Sequence, residues 1–331
     1  MYYYILSMKF LILKSKNPYL NLAIEEYMFS ETSDDVFMLW QNEPSVIIGK
    51  NQNAYAEVNM DYVKENKIHI VRRITGGGAV YHDLGNVNYS FISTREKISG
   101  IDFKYFTEPI IEALENMGIA AKLSGRNDLL FEDKKFSGNA QHAIGGRVLH
   151  HGTILFDSNL EVLSSALYVD EEKLRARSIK SARSRVVNLK GLIAEKLCVG
   201  EFINRIAEYV EKKFNPEIIS APENPEVEKL RIRNESFEWI FPDRAYLSEY
   251  KITKKKKYEF GLVEINLLMT NEVISEIKIF GDFFGTKDVA YIENELRGKS
   301  IFNIKDSLEK ITVNDYIYGM TAELLEEHIR G

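Results

Sequence analysis

Apolar side chains recur at helical spacing soon after the start of the chain. Leu20, Ile24, Tyr27 and Met28 form one stripe, with Asn17 placed to cap a helix and Pro18 at its first position. The apolar opening, Met1–Leu13, is read as a first strand. Short β-rich runs follow at Val36–Trp40, Val46–Ile48 and Ile68–Val71, separated by polar connectors such as Asn42–Pro44 and Asn51–Asn53. Val87–Ile92 alternates and predicts another strand. Phe103–Met117 has helical spacing and is closed by Gly118. Leu129–Phe131 and Lys135–Ser137 predict a hairpin turning through Glu132, Asp133 and Lys134, and Gly152–Phe156 a further strand. From Leu160 to Phe214 the pattern is mostly helical, with Leu192–Lys213 its longest run.

Punctuation then divides the chain. Pro216, Pro222 and Pro225 are three of the seven prolines, so this region reads as a loop or linker. Beyond Lys251–Lys257 come two strands, Tyr258–Met269 and Val273–Phe280, followed by helical segments from Lys287 and from Asn303 to the end. The fold class expected is α+β, with a large mixed α/β unit and a small α+β C-terminal one. Composition would cut near Pro222, whereas the strand pattern favours a cut near Glu249; residues 1–248 and 249–331 are taken as the two domains.

With 331 residues, 45% of them hydrophobic, the chain can bury a sizeable core, which excludes disorder and a disulfide-stapled miniprotein. A lone Cys198 cannot form an internal disulfide, so a reducing compartment fits. The net charge of −6 argues against wholesale coating of nucleic acid. No stretch reaches the ~18 apolar residues of a membrane span, and the opening lacks a basic segment and a cleavage site. A cytoplasmic protein with no nucleic-acid or membrane partner is expected, with a monomer as the default.

Candidate chemistry concentrates in a few clusters. Arg72-Arg73-Ile74-Thr75-Gly76-Gly77-Gly78-Ala79-Val80-Tyr81-His82-Asp83 follows an apolar strand. Consecutive glycines allow positive φ and close approach to the amides, and two arginines supply donors for phosphate or carboxylate. A nucleotide or acyl-phosphate suits this loop; so does a plain hairpin turn with solvated arginines. The dinucleotide fingerprint fails at Tyr81, and Gly298-Lys299-Ser300 has Glu293 where a P-loop needs glycine. Lys135 lies early on the returning strand of its hairpin, beside the small residues Ser137-Gly138-Asn139-Ala140. There it could neutralise a phosphate and polarise a carbonyl, or simply be a solvated lysine like Lys134. The adjacent His150 and His151 of a strand point to opposite faces, so they cannot share a metal, and no zinc spacing occurs. Lys173–Lys190 is basic with no acid, as for an anionic partner or a solvated helix face. Lys254–Lys257 reads as solvated edge protection before a strand, and Cys198 as a small core residue on a helix.

Taken together these clusters resemble the lipoate–protein ligase A family of the biotin/lipoate ligase superfamily. The resemblance rests on NLAIEE (Asn21–Glu26), RRITGGGAVYHD (Arg72–Asp83), SGRNDL (Ser124–Leu129), DKKFSGNA (Asp133–Ala140), HHGT (His150–Thr153) and SARSRVVNL (Ser181–Leu189), in order. It implies a catalytic domain of the biotin/lipoate ligase type with an accessory C-terminal domain. Lipoate and Mg-ATP (Mg2+ entering with the nucleotide) would form lipoyl-adenylate. The lipoyl group would then pass to a lysine of a lipoyl-domain acceptor, such as 2-oxoacid dehydrogenase acyltransferase subunits or glycine cleavage H protein. Carried over by motif, Lys135 is the catalytic residue. Arg73, Gly76, Gly77, Gly78, Ala79, Val80, Tyr81 and Lys135 would bind ATP, and Lys135, Arg73 and His151 lipoate. No protein-bound metal is implied. The alternative is an ATP-independent octanoyl or lipoyl transferase, but such relatives use a cysteine thioester, and Cys198 lies about sixty positions beyond Lys135 in no such motif. Biotin–protein ligases use a G-R-G-R-x-G loop instead. Two departures from the family pattern are Phe241-Pro242-Asp243-Arg244 after Trp239, and Gln141-His142 after the lysine hairpin.

Overall fold

The computed structural model describes residues 8–94, 102–167, 186–242 and 250–331. Most of the basic run Lys173–Lys190, residues 1–7 of the first strand and the segment 243–249 around the expected domain seam lie outside the described residues.

An eight-stranded sheet organises the larger part of the chain, built from β1 (Met8–Ile12), β2 (Asp35–Trp40), β6 (Asn86–Thr94), β7 (Ala121–Ser124), β8 (Asp128–Phe131), β9 (Lys134–Ile144), β10 (Arg147–Leu155) and β11 (Glu217–Ile218). Its order is β11-β1-β2-β6-β10-β9-β8-β7. A second sheet of β3 (Ser45–Ile48), β4 (His69–Arg72) and β5 (Val80–His82) has the order β4-β3-β5. β1 and β2 pair in parallel, which requires a crossover, and the helix Pro18–Ser30 supplies it. As the sequence predicts, Pro18 opens that helix and the Asn17 side chain accepts from the Leu20 amide at 3.0 Å.

Strand alternation sorts the apolar residues onto two faces. Phe10, Phe37, Leu39, Tyr89 and Phe91 join the helices Phe103–Glu115 and Val199–Phe214 in one core. Leu11, Met38, Trp40 and Ile92 meet Leu22, Ile24 and Met28 of the first helix, together with Ile47 and Val71 of the small sheet. The first helix and the small sheet thus share one core with this face of the large sheet. Val227, on the helix Pro225–Glu235, packs in that second core, so a cut near Pro222 would sever it from its neighbours.

The C-terminal unit is an antiparallel meander of β12 (Ile252–Tyr258), β13 (Gly261–Thr270) and β14 (Val273–Gly281). The helices Ala290–Leu296 and Ala322–Arg330 cover it, and its core draws on Val263, Ile277, Ile292, Leu325 and others from this unit alone. Lys254–Lys257 do not precede a strand. They lie within β12, an edge strand, and the expected run Tyr258–Met269 is broken by a turn at Glu259-Phe260. Lys255 meets Glu264 of the central strand and Lys257 meets Asp282 just beyond β14, so the edge lysines are paired with acids.

The long helix is shorter than the apolar pattern Leu192–Lys213 predicts. The helix starts at Val199, not Leu192, and Cys198 is its exposed N-cap rather than a core residue. Its Sγ accepts from the Glu201 amide while Glu201 accepts from the Cys198 amide, a capping box made with a thiol.

Candidate active site

The glycine loop connects β4 to β5, and the side chain of Arg73 fixes it from inside. Arg73 donates to the carbonyls of Ile47 at 3.0 Å, and of Gly76 and Gly78 at 2.8 Å each. Neither arginine is solvated: Arg72 and Arg73 are 4% and 6% exposed. Burial lowers the Arg73 guanidinium to about 10, with Glu25 opposing the shift and Arg72 adding to it. Arg72 is spent on structure, binding the carbonyls of Gly49, Lys50, Gln52, Trp239 and Ile240. Gly77 takes φ +90°, a conformation that favours glycine, and its carbonyl lies against Gly49, where a Cβ would stand only 2.1 Å away.

Across from this loop, the β8–β9 hairpin turns through Glu132 at φ 54° and returns with Lys135 near its start, as the sequence predicts. Lys135 Nζ lies 2.7 Å from Asp128 Oδ1, and a Cβ on Gly138 would approach that Nζ to 3.0 Å. The Lys135 carbonyl accepts from Val187 at 2.9 Å, which ties the hairpin to the segment of the SARSRVVNL motif. Beside it Asn139 donates to the Asn127 carbonyl and accepts from the hydroxyl of Tyr89. Gly152 is opposite both on β10, and a Cβ there would stand 2.2 Å from Asn139 Oδ1.

Between these walls lies a cavity. Its lining draws on Arg73, Gly78, Ala79 and Val80 from the glycine loop and β5, on Asn127, Lys135, Gly138, Asn139 and Ala140 from the lysine hairpin region, and on the apolar Leu22, Trp40 and Ile47. The floor is a row across the sheet in which Trp40 pairs with Asn88, and Asn88 with Thr153. Of the residues singled out in the sequence, Arg73, Gly78, Ala79, Val80, Lys135 and His151 therefore share one cavity. Gly76, Gly77 and Tyr81 stand behind it: Tyr81 is packed in the neighbouring core, and the two glycines face the C-terminal unit. Asn88, Trp40, Asn127, Asn139 and Thr153 were not singled out as site residues. For Asn88 a signal was available: Asn88 and Ser90 are buried polar residues alternating with Val87, Tyr89 and Phe91 along β6.

The histidines separate as strand geometry requires. His150 binds Gln141 and stacks on Phe106 in the core, where burial holds its pKa well below the usual 6.5. His151 points into the cavity face, 2.9 Å from Thr75 and 3.0 Å from Glu25. His82 also lines the cavity; burial, then Arg73, lowers it to about 3. Asn42 donates to its Nδ1, because the Asn42 oxygen already accepts from Asn21.

The C-terminal unit reaches this site through the end of β14 and the segment after it. Phe283 O accepts from the Gly77 amide at 3.4 Å, and Gly281 N donates to Asn51 O at 2.8 Å. The Phe284 ring lies 4.5 Å beneath the Arg126 guanidinium and 5.4 Å from Phe103. Arg126 also donates to the Phe260 carbonyl, and Lys50 pairs with Asp288 at 3.0 Å. Gln141 and His142, the departures noted above, are structural here: Gln141 binds the main chain of Asp102, and His142 sits edge-on to Phe29.

Comparison with known proteins agrees with this architecture. Residues 17–211 match the family model of the lipoyl protein ligase A/B catalytic domain, and residues 248–329 that of the bacterial lipoate protein ligase C-terminus. The lipoate-protein ligase LplJ of Bacillus subtilis (strain 168) is 40% identical over 320 residues, covering 93% of this chain and 95% of that one. The crystal structure of P. falciparum LipL1 in complex with lipoate superposes with a TM-score of 0.79 at 25% identity, over 98% of both chains. A lipoate-protein ligase A bound with ATP gives a TM-score of 0.61 at 26% identity, over 71% of this chain and 99% of that one. With both family models matched in order and the glycine loop facing the lysine hairpin, the chain belongs to the lipoate–protein ligase family of enzymes.

Proposed function

We propose that the protein is an ATP-dependent lipoate–protein ligase that performs both half-reactions. In the first, the lipoate carboxylate attacks the α-phosphorus of ATP; the bond to the β-phosphate oxygen breaks and pyrophosphate leaves, giving lipoyl-adenylate. In the second, the neutral amine of an acceptor lysine attacks the acyl carbonyl. The bond to the phosphate oxygen breaks, AMP leaves and the amine's proton is released. The acceptors proposed are lipoyl domains of 2-oxoacid dehydrogenase acyltransferase subunits and glycine cleavage H protein.

One observation carries this reading: Lys135 and the Arg73-braced Gly78–Val80 segment, far apart in sequence, line the same cavity. Neither step needs a protein nucleophile. Each needs two reactants held in line and the charge on phosphate and carbonyl oxygens neutralised. Lys135 is assigned that neutralisation at the α-phosphate and the lipoyl carbonyl. Arg73 and the backbone of Gly78, Ala79 and Val80, with Gly76, Gly77 and Tyr81 behind them, are assigned the nucleotide wall. The apolar lining at Leu22, Trp40 and Ile47 suits the lipoyl chain, and the ring of His151 contributes to its wall. Mg2+ is expected to enter with ATP. No cluster of three or more metal-ligating side chains occurs among the described residues, so no protein ligand is assigned to it.

The transferase reading finds less support, because Cys198 is a helix cap and is not among the residues lining the cavity. We take residues 1–248 as the catalytic domain and 249–331 as an accessory domain, supported by a core drawn from the C-terminal residues alone. No helix among the described residues is long and apolar enough to cross a membrane. A cytoplasmic monomer fits an enzyme that draws on ATP. The test is incubation with Mg-ATP and lipoate in the absence of acceptor. Pyrophosphate and lipoyl-adenylate, formed from lipoate but not from biotin, are expected; turnover of an octanoylated carrier without ATP would instead select the transferase.

A further inference from the structure

Two buried polar side chains beside the cavity, Glu25 and Thr75, have no part in the two steps above. Glu25, on the inner face of the helix Pro18–Ser30, is 1% exposed, yet it is a carboxylate in a core of leucine, methionine and tryptophan. Both its oxygens lie 3.0 Å from His151 Nδ1, and it accepts from the Ser90 hydroxyl. His151 Nε2 lies 2.9 Å from Thr75 Oγ1, and that same oxygen accepts from Arg73 Nε at 2.9 Å. Arg73 in turn holds the carbonyls of Gly76 and Gly78, while the Thr75 carbonyl accepts from the Lys50 amide at 2.8 Å. Thr75 is fully buried and His151 8% exposed. One unbroken chain of bonds therefore runs from the first helix, through β10, to the glycine loop.

We propose that Glu25, His151 and Thr75 are positioning residues that fix the Arg73 guanidinium and, through it, the shape of the Gly76–Gly78 loop before any ligand arrives. The proposal rests on reading Gly78–Val80 as the nucleotide wall. Its physical basis is twofold. A loop of three glycines has the largest backbone entropy to lose on ordering, and a loop already ordered spares the ligand that loss. A desolvated guanidinium also needs a nearby opposite charge, and Glu25 supplies one without touching it. Both ring nitrogens of His151 are engaged within the protein, so it offers a ligand only its ring edge. Thr75 is the hub of the chain, since its single oxygen meets both Arg73 and His151.

Thr75→Val keeps the shape and removes that oxygen. In the Mg-ATP and lipoate adenylation assay, KM for ATP should rise on the order of tenfold with a smaller change in kcat, as expected when a buried donor loses its partner. Amide hydrogen exchange across residues 74–80, measured without substrates, should quicken in the same variant. Thr75→Ser, which keeps the hydroxyl, should restore both. Wild-type exchange and wild-type KM in Thr75→Val would overturn the proposal. Should that variant fail to fold, Glu25→Gln makes the same comparison, and unchanged exchange there would overturn it equally. The exchange measurement needs no nucleotide, so a wild-type protein that makes no adenylate would sink the active-site reading while the relay was still judged by exchange.

Discussion

Lys135 Nζ stands 2.7 Å from Asp128 Oδ1 across the β8–β9 hairpin, with both side chains more than a third exposed. An ion pair in that setting contributes little to stability, on the order of 0–1 kcal/mol, because water screens it and two mobile side chains must be ordered to make it. The pair is therefore weak enough to exchange one anion for another. A phosphate entering the cavity would meet a lysine already held at its mouth and able to leave its carboxylate.

The first prediction follows from that exposure. Lys135→Ala should abolish pyrophosphate release while shifting the unfolding free energy by no more than about 1 kcal/mol. Adenylation and thermal unfolding measured on the same preparation check it. Full activity in a folded Lys135→Ala protein would remove Lys135 from the mechanism.

Two glycines near Lys135 should respond differently to a methyl group. At Gly138 the nearest atom to an added Cβ is Lys135 Nζ at 3.0 Å, the far end of a flexible side chain that can move. Gly138→Ala should therefore displace the lysine, lowering the adenylation rate with little loss of stability. At Gly152 the added carbon would stand 2.2 Å from Asn139 Oδ1 and 2.6 Å from the Tyr89 ring, both buried and bonded to each other. Gly152→Ala should destabilise the fold by about 1–3 kcal/mol, the usual cost of overpacking a core. Comparable unfolding temperatures for the two variants would contradict this distinction.

Much of this was legible in the sequence where local rules govern. Asn17-Pro18 announced its helix, alternation announced β6, and the lysine hairpin turned where expected, because caps, periods and turns are set by residues a few positions apart. The family motifs brought Arg73 and Lys135 forward without locating either. That both line one cavity depends on strand order β2-β6-β10-β9-β8, which no local pattern encodes. The misreadings have the same origin. The Leu192–Lys213 pattern could not show that a cysteine would act as the cap. Arg72 and Arg73 were open to a solvated reading because only the tertiary fold supplies the carbonyls that bury them.

The C-terminal unit touches the site through Phe284, which is 1% exposed between Arg126, Phe103 and the Gly77 backbone. Phe284→Ala should remove an aromatic pair, a cation–π contact and a core side chain, together about 3–5 kcal/mol if the gap does not collapse. Because the contact joins two units with separate cores, the loss should fall on their docking. Calorimetry should resolve two transitions in the variant against one in the wild type, and limited proteolysis should release the C-terminal unit sooner. A single transition merely shifted downward would place Phe284 within one cooperative core instead.

The last prediction concerns pH. His82 is lowered to about 3, first by burial and then by Arg73; His142 is lowered to about 4, first by burial and then by Lys50. In the unfolded chain both return to about 6.5, so between that value and pH 4 the unfolded state binds protons that the folded state refuses. Their contribution to stability is complete above pH 6.5, falls as pH drops below it, and is exhausted once the folded values are passed. Each neutral histidine should cost about 1.4 kcal/mol for every pH unit crossed in that window. His142 is the better residue to vary, since His82 lines the cavity while His142 sits against Phe29 away from it. Unfolding temperature followed from pH 7.5 to 4.5 should decline below 6.5 in the wild type, and less steeply in His142→Gln, which cannot titrate there. Identical slopes would mean that His142 takes up its proton in the folded protein as readily as in the unfolded chain, and that the acid sensitivity lies with His82 and the other buried histidines.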